Sequence, residues 1–163
     1  MYKKIFNDLI KIISKHVTHF YGERLFSLVI FGSVARGTMK IDSDVDFLII
    51  AEPLPKGRIK RIEEFSKIED KIEKEFKSLG HDKKSVFLFP IIKSPEEVLK
   101  GSPLFLDMIE EKIILYDKDD FFKKYLKKLK KRLEILGAKK IKRGNAWSWV
   151  LKPDYKIGEI FEI

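Results

Sequence analysis

The chain has 163 residues, 44% of them hydrophobic and 36% charged, enough for one domain with its own core and too few for two full ones. It contains no cysteine, which excludes a disulfide framework, cysteine-based zinc sites and thiol catalysis. The net charge of +9 is localised, because Lys118 to Arg143 holds twelve Lys or Arg against three acids while the remainder balances; such a basic segment attracts polyanions.

The opening Met1-Tyr2-Lys3-Lys4 leads into Lys3 to Phe20, where Ile5, Leu9, Ile12, Ile13, Val17 and Phe20 recur at helical spacing. This predicts an amphipathic helix packed on a sheet. No apolar run is long enough for a membrane span, so a cytoplasmic protein without membrane contact is expected. Cysteine avoidance with many Lys, Glu and Ile is also the composition of heat-adapted proteins. His16 and His19, on or near the helix, read as surface or satisfied histidines.

Leu25 to Phe31 is a short β-branched and aromatic run ending at Gly32, the pattern of a buried strand. Gly32 allows close backbone approach to a ligand, and Ser33 supplies a hydroxyl and a helix N-cap. Exposed N–H groups at a strand-to-helix turn suit phosphate oxygens, and Arg36 could neutralise the same phosphates. The second strand is expected over Asp44 to Ala51, ended by the Pro53 and Pro55 loop. Asp44 and Asp46 leave one face of it while Val45 and Phe47 leave the other. Two neighbouring carboxylates repel, and their hard oxygens suit Mg²⁺ or Mn²⁺.

Together these residues resemble the nucleotidyltransferases of the DNA polymerase β superfamily, whose signature is Gly-Ser, ten residues, then Asp-x-Asp. Here Gly32-Ser33 is followed by Val34 to Ser43 and then Asp44-Val45-Asp46. The Gly-Ser-x-Ala-Arg-Gly pattern is most similar to minimal archaeal and bacterial members. The resemblance implies an α/β (α+β) fold, a small mixed β-sheet flanked by helices. It implies that Gly32 and Ser33 hold an NTP triphosphate, with Arg36 as a further phosphate contact, and that Asp44 and Asp46 bind the metals and carry catalysis. The implied reaction moves NMP from NTP to a hydroxyl acceptor and releases pyrophosphate. Protein, RNA and small-molecule acceptors all stay open.

The rest of the chain completes the expectation. Arg58 to Leu79 reads as a helix, stopped by Gly80, with a solvated Glu–Lys face. Ser85 to Ile92 is the third strand, and Pro90 suggests an edge position or a strand end. The family's third carboxylate belongs on that strand, which contains no acid; Asp82 just before it is the candidate, with Glu52, Asp107 or Glu110 as spatial substitutes. Without a third acid, the alternative is a degenerate fold acting as a nucleotide- or RNA-binding module. Ser94-Pro95-Glu96-Glu97 and Ser102-Pro103 each begin a helix, and Lys112 to Tyr116 reads as a strand. A basic helix, capped by Asp117 or Asp119, runs from Phe121 to Leu136 with a buried Phe122, Leu126, Leu129, Leu133 and Leu136 stripe. Its Lys123 to Lys131 face is either a solvated surface or a nucleic-acid contact. Trp147 to Leu151 and Ile157 to Ile163 read as two strands of a C-terminal β-hairpin. The expected organisation is a core over 1–117 with a helix and β-hairpin extension over 118–163 packed on the same domain. Trp147 and Trp149 share one face of their strand, for the core or for an interface.

Overall fold

The computed structural model describes residues 2–40, 42–81, 87–144 and 146–163. Its centre is a sheet of β1 (Leu25–Phe31), β2 (Val45–Ala51), β3 (Leu88–Lys93) and β4 (Ile113–Asp117), in the spatial order β3-β2-β1-β4. β1 is antiparallel to β2 and β4, and β3 is parallel to β2, so the sheet is mixed as expected. Pro90 lies in the edge strand β3, where a missing N–H is tolerated. The predicted start of this strand, Ser85 and Val86, lies outside the described residues, as does Asp82.

The alternation along β2 divides the molecule into two apolar layers. Val45, Phe47, Ile49 and Ala51 face α1 (Tyr2–Tyr21) and α3 (Arg58–Ser78), which bury Phe6, Leu9, Ile13 and Val17, and Phe65, Ile68, Ile72 and Phe76. Leu48 and Ile50 face the other way, against Val98, Phe105, Phe122 and Leu126. These come from α4 (Pro95–Leu99), α5 (Leu104–Met108) and α6 (Phe121–Ile135). Short α2 (Gly32–Arg36) joins β1 to the loop before β2.

Local chemistry fixes these helices as the sequence suggests. At α4, Ser94 Oγ accepts from Glu97 N–H at 3.2 Å and Glu97 Oε2 accepts from Ser94 N–H at 2.8 Å, a complete capping box. The same Glu97 carboxylate receives Arg61 of α3 through its two terminal guanidinium nitrogens, at 2.6 and 3.1 Å. At α6, Asp117 accepts from the N–H groups of Phe122 and Lys123 at 2.9 and 3.0 Å, and from the buried Ser27 hydroxyl at 2.6 Å. Gly137, with φ of 68°, ends α6, and the Ala138 N–H returns to the Leu133 carbonyl. His16 is satisfied by Glu75 at 2.7 Å.

The C-terminal hairpin differs from expectation. β6 (Ala146–Val150) pairs with β5 (Lys139–Arg143), not with Ile157 to Ile163, which forms no strand. Arg143 at the end of β5 pairs directly with Ala146 at the start of β6, and Gly144 takes a φ of 62°. The Lys-Lys-Ile-Lys-Arg strand carries almost no apolar alternation, so its sequence reads as a basic run rather than as β structure. Ile157 and Ile160 are exposed.

Candidate functional site

β1 ends where β2 begins, and this antiparallel register puts Phe31 opposite Asp46. The chain turns at Gly32, with φ of 69°, and packs against the Asp46 side chain so closely that a β-carbon at residue 32 would overlap Asp46 Oδ2. The turn and the carboxylate predicted to work together are therefore in contact, although the sequence separates them by a loop. α2 closes at Gly37, where the N–H groups of Gly37 and Thr38 return to the carbonyls of Val34 and Ser33 at 3.2 and 3.0 Å. Ser43 Oγ accepts from Lys40 N–H at 2.7 Å and shapes the entry into β2.

Asp44 and Asp46 flank the fully buried Val45. Burial, and then the charge of Asp44, push the Asp46 carboxyl above the ordinary aspartate range, while Arg36 pulls it down. Among the described residues no side chain forms an ion pair with either carboxylate, and none completes a cluster of three metal-ligating groups with them. Gly32, Ser33, Asp44, Asp46 and Arg36 thus converge on one end of the sheet.

Phe89, not an acid, pairs with Asp46 on the β3 side. Phe89 is 52% exposed and Phe87, whose carbonyl accepts from Val45 N–H at 2.8 Å, is 58% exposed. Glu52 follows the far end of β2, about 20 Å from Asp46 at strand rise, and cannot substitute. Asp107 and Glu110 lie on the α5–β4 side, where they are engaged by other partners. Beyond Phe89, a groove of about 430 Å³ follows the edge strand past Pro90 and Lys93, with Arg58, Arg61 and Ile62 on its other wall.

Arg36 has neighbours that the sequence does not announce. Its guanidinium lies 3.3 Å from Glu111 Oε2 and 5.1 Å from the centre of the Trp147 ring. Trp147 and Trp149 both donate their indole N–H to Asp107 Oδ1, at 2.8 and 3.1 Å. Lys140 of β5 sits 4.8 Å from the Trp147 ring and reaches Glu110 and Glu111 at 3.4 and 3.7 Å. The alternate spacing of the two tryptophans was the visible signal; their half-buried packing against α5 and Arg36 depends on the β5–β6 pairing. The lysines at 123, 124, 127, 128, 130 and 131 of the basic helix are exposed. Among the described residues no helix is long and apolar enough to cross a membrane.

Comparison with known proteins gives the same family as the motif. The model of the nucleotidyltransferase domain matches residues 10–143. A Methanocaldococcus jannaschii protein named "Putative protein adenylyltransferase MJ1305" is 35% identical over 132 residues, covering 80% of this chain and 84% of its own. Among solved structures, a toxin–antitoxin crystal structure with AMP-PNP is 19% identical with a TM-score of 0.45, covering 80% of this chain and 89% of that one. The MntA–HepT toxin–antitoxin is 16% identical with a TM-score of 0.39, covering 80% and 85%.

Proposed function

The chain belongs to the nucleotidyltransferase domain family and is an enzyme of nucleotide transfer, and from that membership we propose that it moves AMP from ATP to a hydroxyl of a polypeptide. The observation that carries the site assignment is the packing of Gly32 directly on the Asp46 carboxylate. A phosphate held at this turn lies beside two acids. The polypeptide acceptor is supported by the name of the 35% identical relative.

The donor set fits a divalent cation. Asp44 and Asp46 offer hard oxygens side by side, and among the described residues no side chain forms an ion pair with either. Asp44 and Asp46 would hold Mg²⁺ or Mn²⁺, which when bound neutralises phosphate charge and favours an attacking alkoxide. Gly32 and Ser33 bind the triphosphate through backbone and hydroxyl, and Arg36 balances its charge. The acceptor oxygen forms a bond to the α-phosphorus as the bond to the bridging oxygen breaks. Pyrophosphate leaves with that electron pair, and the hydroxyl proton passes to solvent.

In-line displacement sets acceptor and leaving group on opposite sides of the phosphorus. With the triphosphate on the β1 side, the acceptor comes over β3 at Phe89, the residue beside Asp46 in register. Asp44→Asn and Asp46→Asn, incubated with α-labelled ATP, a divalent metal and candidate polypeptides, are expected to lose label transfer. Unchanged transfer in both variants would overturn the assignment.

A further inference from the structure

We infer that the C-terminal hairpin is part of the nucleotide site, with Trp147 acting as a positioning residue that holds the Arg36 guanidinium toward the triphosphate. This rests on the reading of Arg36 as a phosphate contact and adds to it a residue about 110 positions further along the chain. Arg36 is the last residue of the short helix α2 and lies beyond the Gly32 contact, so its own segment does little to fix a long side chain. What fixes it comes from elsewhere. Glu111, in the connection entering β4, lies 3.3 Å from the guanidinium, and the Trp147 ring lies 5.1 Å from it.

The indole is itself anchored. Its N–H is used by Asp107 at 2.8 Å, which sets the ring orientation and leaves its π-face for cations. Lys140 approaches the same ring at 4.8 Å while lying 3.7 Å from Glu111. Glu111 therefore has a second cation available. When a triphosphate draws Arg36 off the carboxylate, Lys140 is in place to keep Glu111 compensated, while Trp147 still supports the aliphatic and planar parts of the arginine.

The test compares the affinities of ATP and AMP, by calorimetry with Mg²⁺ present, for the wild type and for Trp147→Leu, Trp147→Phe, Arg36→Ala and the Arg36→Ala/Trp147→Leu double variant. Leucine keeps apolar bulk and removes the π-face; phenylalanine keeps the face. Trp147→Leu should weaken ATP about two- to five-fold with AMP little affected, and Trp147→Phe should restore most of the loss. The double variant should bind ATP no worse than Arg36→Ala alone. Equal ATP affinity in Trp147→Leu and wild type, or independent multiplying losses, would overturn the inference while leaving Arg36 as a phosphate contact. An Arg36→Ala variant that binds ATP like the wild type would instead remove the phosphate-contact reading itself. Parallel thermal melts identify any variant that fails to fold, and Trp147→Phe then carries the comparison against wild type, with a loss as large as that of Arg36→Ala counting against the role.

Discussion

The two faces of β2 do different work within one strand. Toward α1 and α3 its side chains are Val45, Phe47, Ile49 and Ala51, all fully buried, and none of the four can ionise. Toward α4, α5 and α6, Leu48 and Ile50 are equally buried, but the same face ends in Asp46 and the preceding Asp44. The first face is optimised for folding alone. The second gives up apolar burial at its leading end and places like charges together, a local conflict expected at sites kept for chemistry.

Substitutions one residue apart should therefore separate stability from activity. Phe47→Ala, which empties a fully buried position packed on Phe65 at 5.7 Å, should cost about 3–5 kcal/mol in chemical denaturation. Asp46→Asn should do the reverse, lowering turnover about 10³-fold without destabilising the protein at neutral pH. Phe89→Asp should add a carboxylate beside Asp46 by register and tighten Mn²⁺ binding on the order of tenfold, read by titration of the ion. If it does not, the β3 side of Asp46 is not open to the metals.

The smallest effect is one of pH. Asp46 binds its proton more tightly folded than unfolded, so its contribution favours folding below the ordinary aspartate range and is lost as pH rises through the raised value. The stability of Asp46→Asn relative to wild type should accordingly grow over that acidic window and then stay level. Glu97 has the opposite sign: Arg61 chiefly lowers it, so its stabilisation holds above the ordinary glutamate range and fades as pH falls through the lowered value. Denaturation curves of Asp46→Asn and Glu97→Gln against pH should diverge from wild type in opposite directions.

Legibility in the sequence followed the range of the interactions. The capping box at Ser94, the alternation of β2, the edge position of Pro90 and the Gly137 stop are local, and each reads directly from neighbouring residues. The Gly32–Asp46 contact spans fourteen positions but is encoded by a recognisable spacing. The Arg36–Trp147 contact has no such code, because it depends on β5 pairing with β6, and β5 is a basic strand without apolar alternation. By composition alone Ile157 to Ile163 is the more apolar candidate strand. Composition alone leaves Glu52 eligible as the third acid, whereas the direction of β2 carries it to the far end of the sheet from Asp46.

The most direct test is the affinity for ATP of the wild type and of Asp46→Asn, each titrated with and without Mn²⁺. A turn and an acid pair that hold a metal-bound nucleotide predict strong enhancement of ATP binding by Mn²⁺ in the wild type, and loss of that enhancement in a variant that remains fully folded. Equal enhancement in both proteins would contradict the account.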